Sequence, residues 1–138
     1  MAERFPRPLR EQEADALNHL LSAAFAGREA LSEQDKTVEV VGRWVDEPTV
    51  ELRVSAPPAP RAVIENNPPV EASTLDGLYT VILFVKDRLL NLLELVDNAG
   101  KGMLAELPAP QDLGPPDALG PTAARAWWQR NPPDSEGR

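Results

Sequence analysis

Residues 78–85 read Leu-Tyr-Thr-Val-Ile-Leu-Phe-Val, the longest apolar stretch in the chain. β-Branched and aromatic side chains crowd it, and its length is far short of the ~20 residues of a membrane-spanning helix. Preceded by the Asp76-Gly77 turn signal, it predicts a strand near the centre of a sheet, buried on both faces with a helix over one. Lys86-Asp87-Arg88 then turns the chain. Residues 89–96 fit two readings. Leu89, Leu92, Leu93 and Val96 keep helical spacing, whereas a position directly after a tight turn suits a hairpin strand, the reading we favour.

Upstream, Val50, Leu52 and Val54 alternate with Glu51 and Arg53, the mark of a strand with one dry and one wet face. Residues 37–45 carry Val38, Val40, Val41, Trp44 and Val45, and Asp46-Glu47-Pro48 joins the two segments as an antiparallel hairpin. Pro57, Pro58 and Pro60 cannot continue a central strand, because proline donates no ladder hydrogen bond. Residues 61–65 are then at most a short edge strand, and residues 70–72 are extended. Further upstream, Leu17, Leu20, Leu21, Ala24 and Phe25 fall on one face of a helix over residues 10–25. Glu11, Glu13 and Asp15 favour its start through the helix dipole, and Gly27 reads as its terminator. Residues 28–36 predict a short second helix with Leu31 packed on the first. Downstream, residues 97–102 form a loop and residues 103–107 add one short strand.

The fold class that follows is α+β. An antiparallel sheet of four to five strands has the N-terminal amphipathic helix packed on one face, and a proline-rich C-terminal tail follows. Residues 1–107 make the single globular domain. Residues 108–138 hold seven of the fifteen prolines and no Val, Ile, Phe or Tyr. Such a segment has little apolar surface to offset its ordering entropy and reads as a flexible tail.

The whole chain has 138 residues, 14 Lys and Arg against 22 Asp and Glu, and a formal charge of −8. That balance repels phosphate backbones, so no nucleic acid is expected as a partner. The absence of cysteine excludes disulfides, thiolate nucleophiles and Cys-ligated metal centres. The first ten residues carry prolines and charges instead of a signal peptide's apolar run, which points to a cytoplasmic protein without a membrane contact.

Catalytic signatures are missing: no GxGxxG, Walker loop, HExxH or GxSxG occurs. His19 is the one histidine and falls on the polar side of its helix. Glu65, Glu71, Asp76 and Glu94 lie in or beside the sheet region as candidate cation ligands, but their spacing matches no ligand loop. The simpler reading has Asp76 fixing its turn and Glu94 facing solvent. No catalytic residue, metal or cofactor is therefore assigned. Trp127 and Trp128 are the partner-binding candidates, since tryptophan is enriched in binding hot spots. They either pack back on the domain, dock on a partner, or stay exposed.

Leu9 and Glu13 in the first helix, Leu31 and Gln34 after it, Asp76-Gly77 before a hydrophobic strand, and Leu90-Asn91-Leu92-Leu93-Glu94 after a turn at Asp87 form a further pattern. It resembles an uncharacterised family of small bacterial α+β domains, over about residues 9–107. Arg10 stands where that pattern has a Ser or Thr helix cap, and Arg88 where it has a turn glycine. The resemblance implies a fold and no activity, and small acidic proteins of this kind resemble immunity or accessory proteins.

The function expected is a non-enzymatic protein-interaction domain, of immunity or regulatory type, with an acidic face for a basic protein partner. The alternative is an accessory subunit docked through Trp127 and Trp128, and the third a carboxylate- or metal-dependent enzyme. The chain is expected to be a monomer or, through an edge strand at residues 61–65, a homodimer.

Overall fold

The computed structural model describes residues 3–54 and 59–120. Two helices, α1 (Glu11–Leu20) and α2 (Arg28–Asp35), precede the strands β1 (Val38–Arg43), β2 (Val50–Val54), β3 (Val70–Ser73), β4 (Tyr79–Lys86) and β5 (Leu89–Asp97). A 3-10 turn at Pro110–Asp112 leads to a two-residue strand, β6 (Asp117–Ala118). The strands form one antiparallel sheet in the order β1-β2-β5-β4-β3-β6. The α+β class holds, with six strands where four to five were expected.

The segment quoted first is β4, and it lies at the centre beside β5. Every residue from Tyr79 to Val85 is buried. Val81, Leu83 and Val85 point to the main core with Leu93 and Leu95 of β5, Val70 and Ala72 of β3, and Val50 and Leu52 of β2. Ala16, Leu17 and Leu20 of α1 and Leu31 of α2 close that core from above. Both helices therefore cover the same face of the sheet.

Residues 89–97 form a strand because the turn before them leaves no choice. Asp87 and Arg88 both have positive φ, 54° and 65°, the backbone of a two-residue turn whose twist matches a β-hairpin. A bulge between Phe84 and Val85 then sets Val85 opposite Leu90. The spacing of Leu89, Leu92, Leu93 and Val96 mimics a helix, yet alternate side chains serve opposite faces.

Four expectations are corrected. First, α1 stops at Leu20, not Phe25, because Ser22 takes the His19 carbonyl with both its amide (3.2 Å) and its hydroxyl (2.6 Å). Gly27 instead precedes α2 as its N-cap at φ 89°, and a Cβ there would come within 3.1 Å of the Val63 carbonyl oxygen. Second, residues 61–65 are not a strand; Ala62 N–H donates to the Arg88 carbonyl at 3.0 Å, and Val63 beside it is exposed. The edge strands are β1 and β6. Third, residues 103–107 are irregular, held by side chains instead of a ladder: Tyr79 donates its hydroxyl to Gly102 (2.6 Å), and Arg43 donates to Ala105 (3.1 Å). Fourth, the sixth strand comes from the proline-rich segment, where Asp117 and Ala118 pair with Glu71 and Val70. Leu113 in the same segment is buried, and the His19 ring bonds the Gly114 carbonyl oxygen at 2.8 Å.

Side chains finish what the ladders leave open. Gln34 has no exposed surface; its amide nitrogen donates to the carbonyls of Pro60 (2.7 Å) and Arg88 (2.9 Å), and its oxygen accepts from Leu90 N–H (2.8 Å). Asn67 exchanges two bonds with the Val85 backbone, like a strand one residue long. At the opposite edge, Arg7 and Val40 exchange both backbone bonds, so the first residues shield part of β1.

Candidate interaction surface

The sheet face turned away from the helices is built in three rows by the strand register. Glu51 lies opposite Leu92, and Leu92 opposite Phe84. The middle row runs Glu94, Ile82, Glu71 and Asp117 across β5, β4, β3 and β6. The third sets Val96 beside Thr80 and Thr80 beside Ser73. That last row is tied internally: the Ser73 and Thr80 hydroxyls lie 3.0 Å apart, and Asn98 donates its amide to Thr80 at 2.9 Å.

Ile82, Phe84, Leu92 and Val96 thus form a second apolar cluster, separate from the helix-covered core. Carboxylates flank it. Glu94 and Glu71 stand on either side of Ile82, about 10 Å apart at two strand spacings. Glu51 closes the β2 side and is exposed, as is Asp117 on the β6 side. Glu94, expected to face solvent, is only 5% exposed. An apolar stripe bracketed by carboxylates suits an aromatic or aliphatic side chain that arrives with Arg or Lys beside it.

The other predicted positions do not join this face. Asp76 fixes the β3–β4 turn, accepting from the Thr74 hydroxyl (2.6 Å) and Leu78 N–H (3.0 Å). Those two bonds, the hydroxyl's first, hold its carboxyl below the usual range. Glu65 lies in the irregular stretch before β3, exposed. Among the described residues no three His, Cys, Asp or Glu side chains come together as a metal site. A cleft between Arg10, Arg43 and Glu106 has room for little more than a water molecule. Trp127 and Trp128 lie outside the described residues. Among the described residues no helix is long and apolar enough to cross a membrane.

What sequence reasoning missed is the company that Ile82 and Phe84 keep. Burial of residues 79–85 on both faces was readable from their nearly continuous apolarity. That Leu92 and Val96 complete an outer cluster, with Glu71 and Glu94 beside it, follows only from the register. Comparison with known proteins adds no relative: no protein-family model, curated protein or solved structure matches this chain.

Proposed function

We propose that this chain is a non-enzymatic protein-interaction domain that uses the outer sheet face to hold a basic protein partner. One observation carries the reading, the stripe of Ile82, Phe84, Leu92 and Val96 bracketed by Glu51, Glu71 and Glu94. Ile82 and Phe84 are nearly buried, so a partner reaches the stripe from its half-buried rim at Leu92 and Val96. The exposed Glu51 and Asp117 at its sides favour one that brings positive charge. The overall charge of −8 works in the same direction, raising the rate of encounter with a basic surface. An immunity-type or regulatory role in a small bacterial protein is consistent with this chemistry and with the resemblance noted above.

The test is affinity capture from native lysate with the full chain and with an E51Q/E71Q variant. The expected result is a basic partner retained at low salt, released at high salt, and retained poorly by the variant. Retention indifferent to both salt and the substitutions overturns the reading.

A further inference from the structure

Lys86-Asp87-Arg88 closes the β4–β5 hairpin with Asp87 and Arg88 both at positive φ. Such a turn prefers glycine at its second position, because a side chain disfavours that backbone. Arg88 stands there, at φ 65°, with its side chain exposed. The fold uses only its backbone: the Arg88 carbonyl accepts from Ala62 N–H and from the Gln34 amide.

Arg61 is brought to the same tip, where its Nη1 donates to the Asp87 carbonyl at 2.7 Å. Burial alternates from there, so that Arg61, Val63 and Glu65 face solvent while Ala62 is buried. Val63 is 67% exposed beside this corner. Lys86, the last residue of β4, is exposed as well. Three cations thus meet around one acid, Asp87. Glu65 stands four residues from Arg61, about 13 Å along an extended chain.

Elsewhere the cations are mostly paired. Six of the eleven described ones, Arg7, Arg10, Arg28, Lys36, Arg43 and Arg53, lie within 3.9 Å of a carboxylate. Of the five with no carboxylate partner among the described residues, three meet at this tip. Like charges gathered at one corner repel, so folding alone does not favour the arrangement.

We propose that the hairpin tip is a second binding surface, on which Arg61, Lys86 and Arg88 hold a short carboxylate-rich segment of a protein and Val63 takes an aliphatic side chain beside it. Guanidinium–carboxylate hydrogen bonds are charge-assisted and among the stronger polar contacts a surface offers. The size of the ligand follows from the charge of the whole chain. At physiological ionic strength, charges more than ~8 Å apart are largely screened. A short segment at the tip therefore meets the cations, whereas a membrane or a duplex lies against the surplus acid as well. The proposal goes beyond the outer-face reading and does not rest on it, since the two surfaces select opposite charge.

The test is fluorescence anisotropy with a labelled poly-glutamate peptide that carries a single leucine, at physiological ionic strength. The full chain is expected to bind it and to release it when salt is raised several-fold. Arg88→Gly is expected to weaken binding several-fold while leaving the protein no less stable to denaturant, which separates lost contact from lost folding. Lys86→Glu is expected to abolish binding, and Arg88→Lys, which keeps the charge, to bind close to the parent. E51Q/E71Q, aimed at the outer face, is expected not to weaken it. No binding by the parent overturns the proposal. So does binding that survives both Arg88→Gly and Lys86→Glu, which assigns the peptide to the arginines near the N-terminus. A loss with Arg88→Lys equal to that with Arg88→Gly makes shape the determinant in place of charge and overturns it. Co-sedimentation with phosphatidylserine vesicles that is tighter than peptide binding and lost in the same variants assigns the tip to a membrane and overturns it too.

Discussion

At the scale of single residues, the structure leans on a few side chains in unusual backbone or burial states. Arg88 holds φ 65° in the β4–β5 turn, a conformation that costs a side-chain-bearing residue about 1 kcal/mol. Arg88→Gly is expected to raise stability by about 1 kcal/mol, read from the denaturant midpoint, since its carbonyl contacts to Ala62 and Gln34 survive the change. Gln34→Ala takes the partner of the Pro60 carbonyl and of the Leu90 amide at once, while the Arg88 carbonyl keeps the Ala62 amide. At roughly 1–3 kcal/mol per buried group left unsatisfied, a loss of about 3 kcal/mol or more is expected in the same measurement.

Two aspartates give opposite pH signatures. Asp97 accepts from the Gly102 and Lys101 amides, which hold its carboxyl below the usual range, the Gly102 bond most. Its contribution is fully present above the unfolded carboxylate value and is lost as pH falls through the lowered one. Asp97→Asn should therefore melt lower than the parent at neutral pH and converge with it in acid. Burial pushes the Asp35 carboxyl up, so its charged form opposes folding once pH exceeds that raised value. Asp35→Asn should melt higher at neutral pH, with the gain vanishing in acid. Calorimetric melts across the acid range check both.

At the scale of elements, the N-terminal residues are joined to α1 and β1 through one carboxylate. Glu13 is nearly buried and accepts a two-pronged contact from Arg7 (2.8 and 2.9 Å) and the Arg10 amide (2.8 Å). The last bond replaces a Ser or Thr cap in part: Glu13 reaches back to the backbone that begins the helix. Contact with Glu13 and Glu3 strengthens the hold of Arg7 on its proton. Glu13→Ala leaves a guanidinium, half enclosed by protein, without its main counter-charge. A loss of about 3 kcal/mol is expected, with faster hydrogen exchange at the Arg7–Val40 pair before the rest of the sheet. The β4–β5 hairpin carries a different lesson. The apolar run of residues 78–85 and the alternation of residues 50–54 were legible because strand period and burial agree there. Residues 89–96 were ambiguous because Leu89, Leu92, Leu93 and Val96 keep helical spacing in a segment that also suits a strand; the Asp87–Arg88 turn geometry decided between them.

At the scale of the whole molecule, surplus negative charge opposes compaction, since like charges spread over a small body repel. The exposed pairs Lys36–Glu33 and Arg53–Glu39 offset little of it. Moderate salt is expected to raise the melting temperature by screening this repulsion. A fall instead would mean that the Arg7–Glu13 contact and its neighbours outweigh the repulsion.

Composition, periodicity and turn residues determined the α+β class, both helices, the β1–β2 hairpin and the burial of residues 79–85, while the strand at residues 89–97 was settled by the Asp87–Arg88 turn. Each of the former depends on neighbours in sequence, where a hydrophobic period acts locally. The tertiary structure alone decided the strand order, the use of Asp117–Ala118 as a sixth strand, the early end of α1 and the burial of Gln34 and Glu94. It also brought Glu51, Glu71 and Glu94 around Ile82 and Phe84, residues as far as 43 positions apart. Such meetings are set by register between strands, and register depends on how the whole apolar surface is shared between two faces. No local pattern in the chain encodes it.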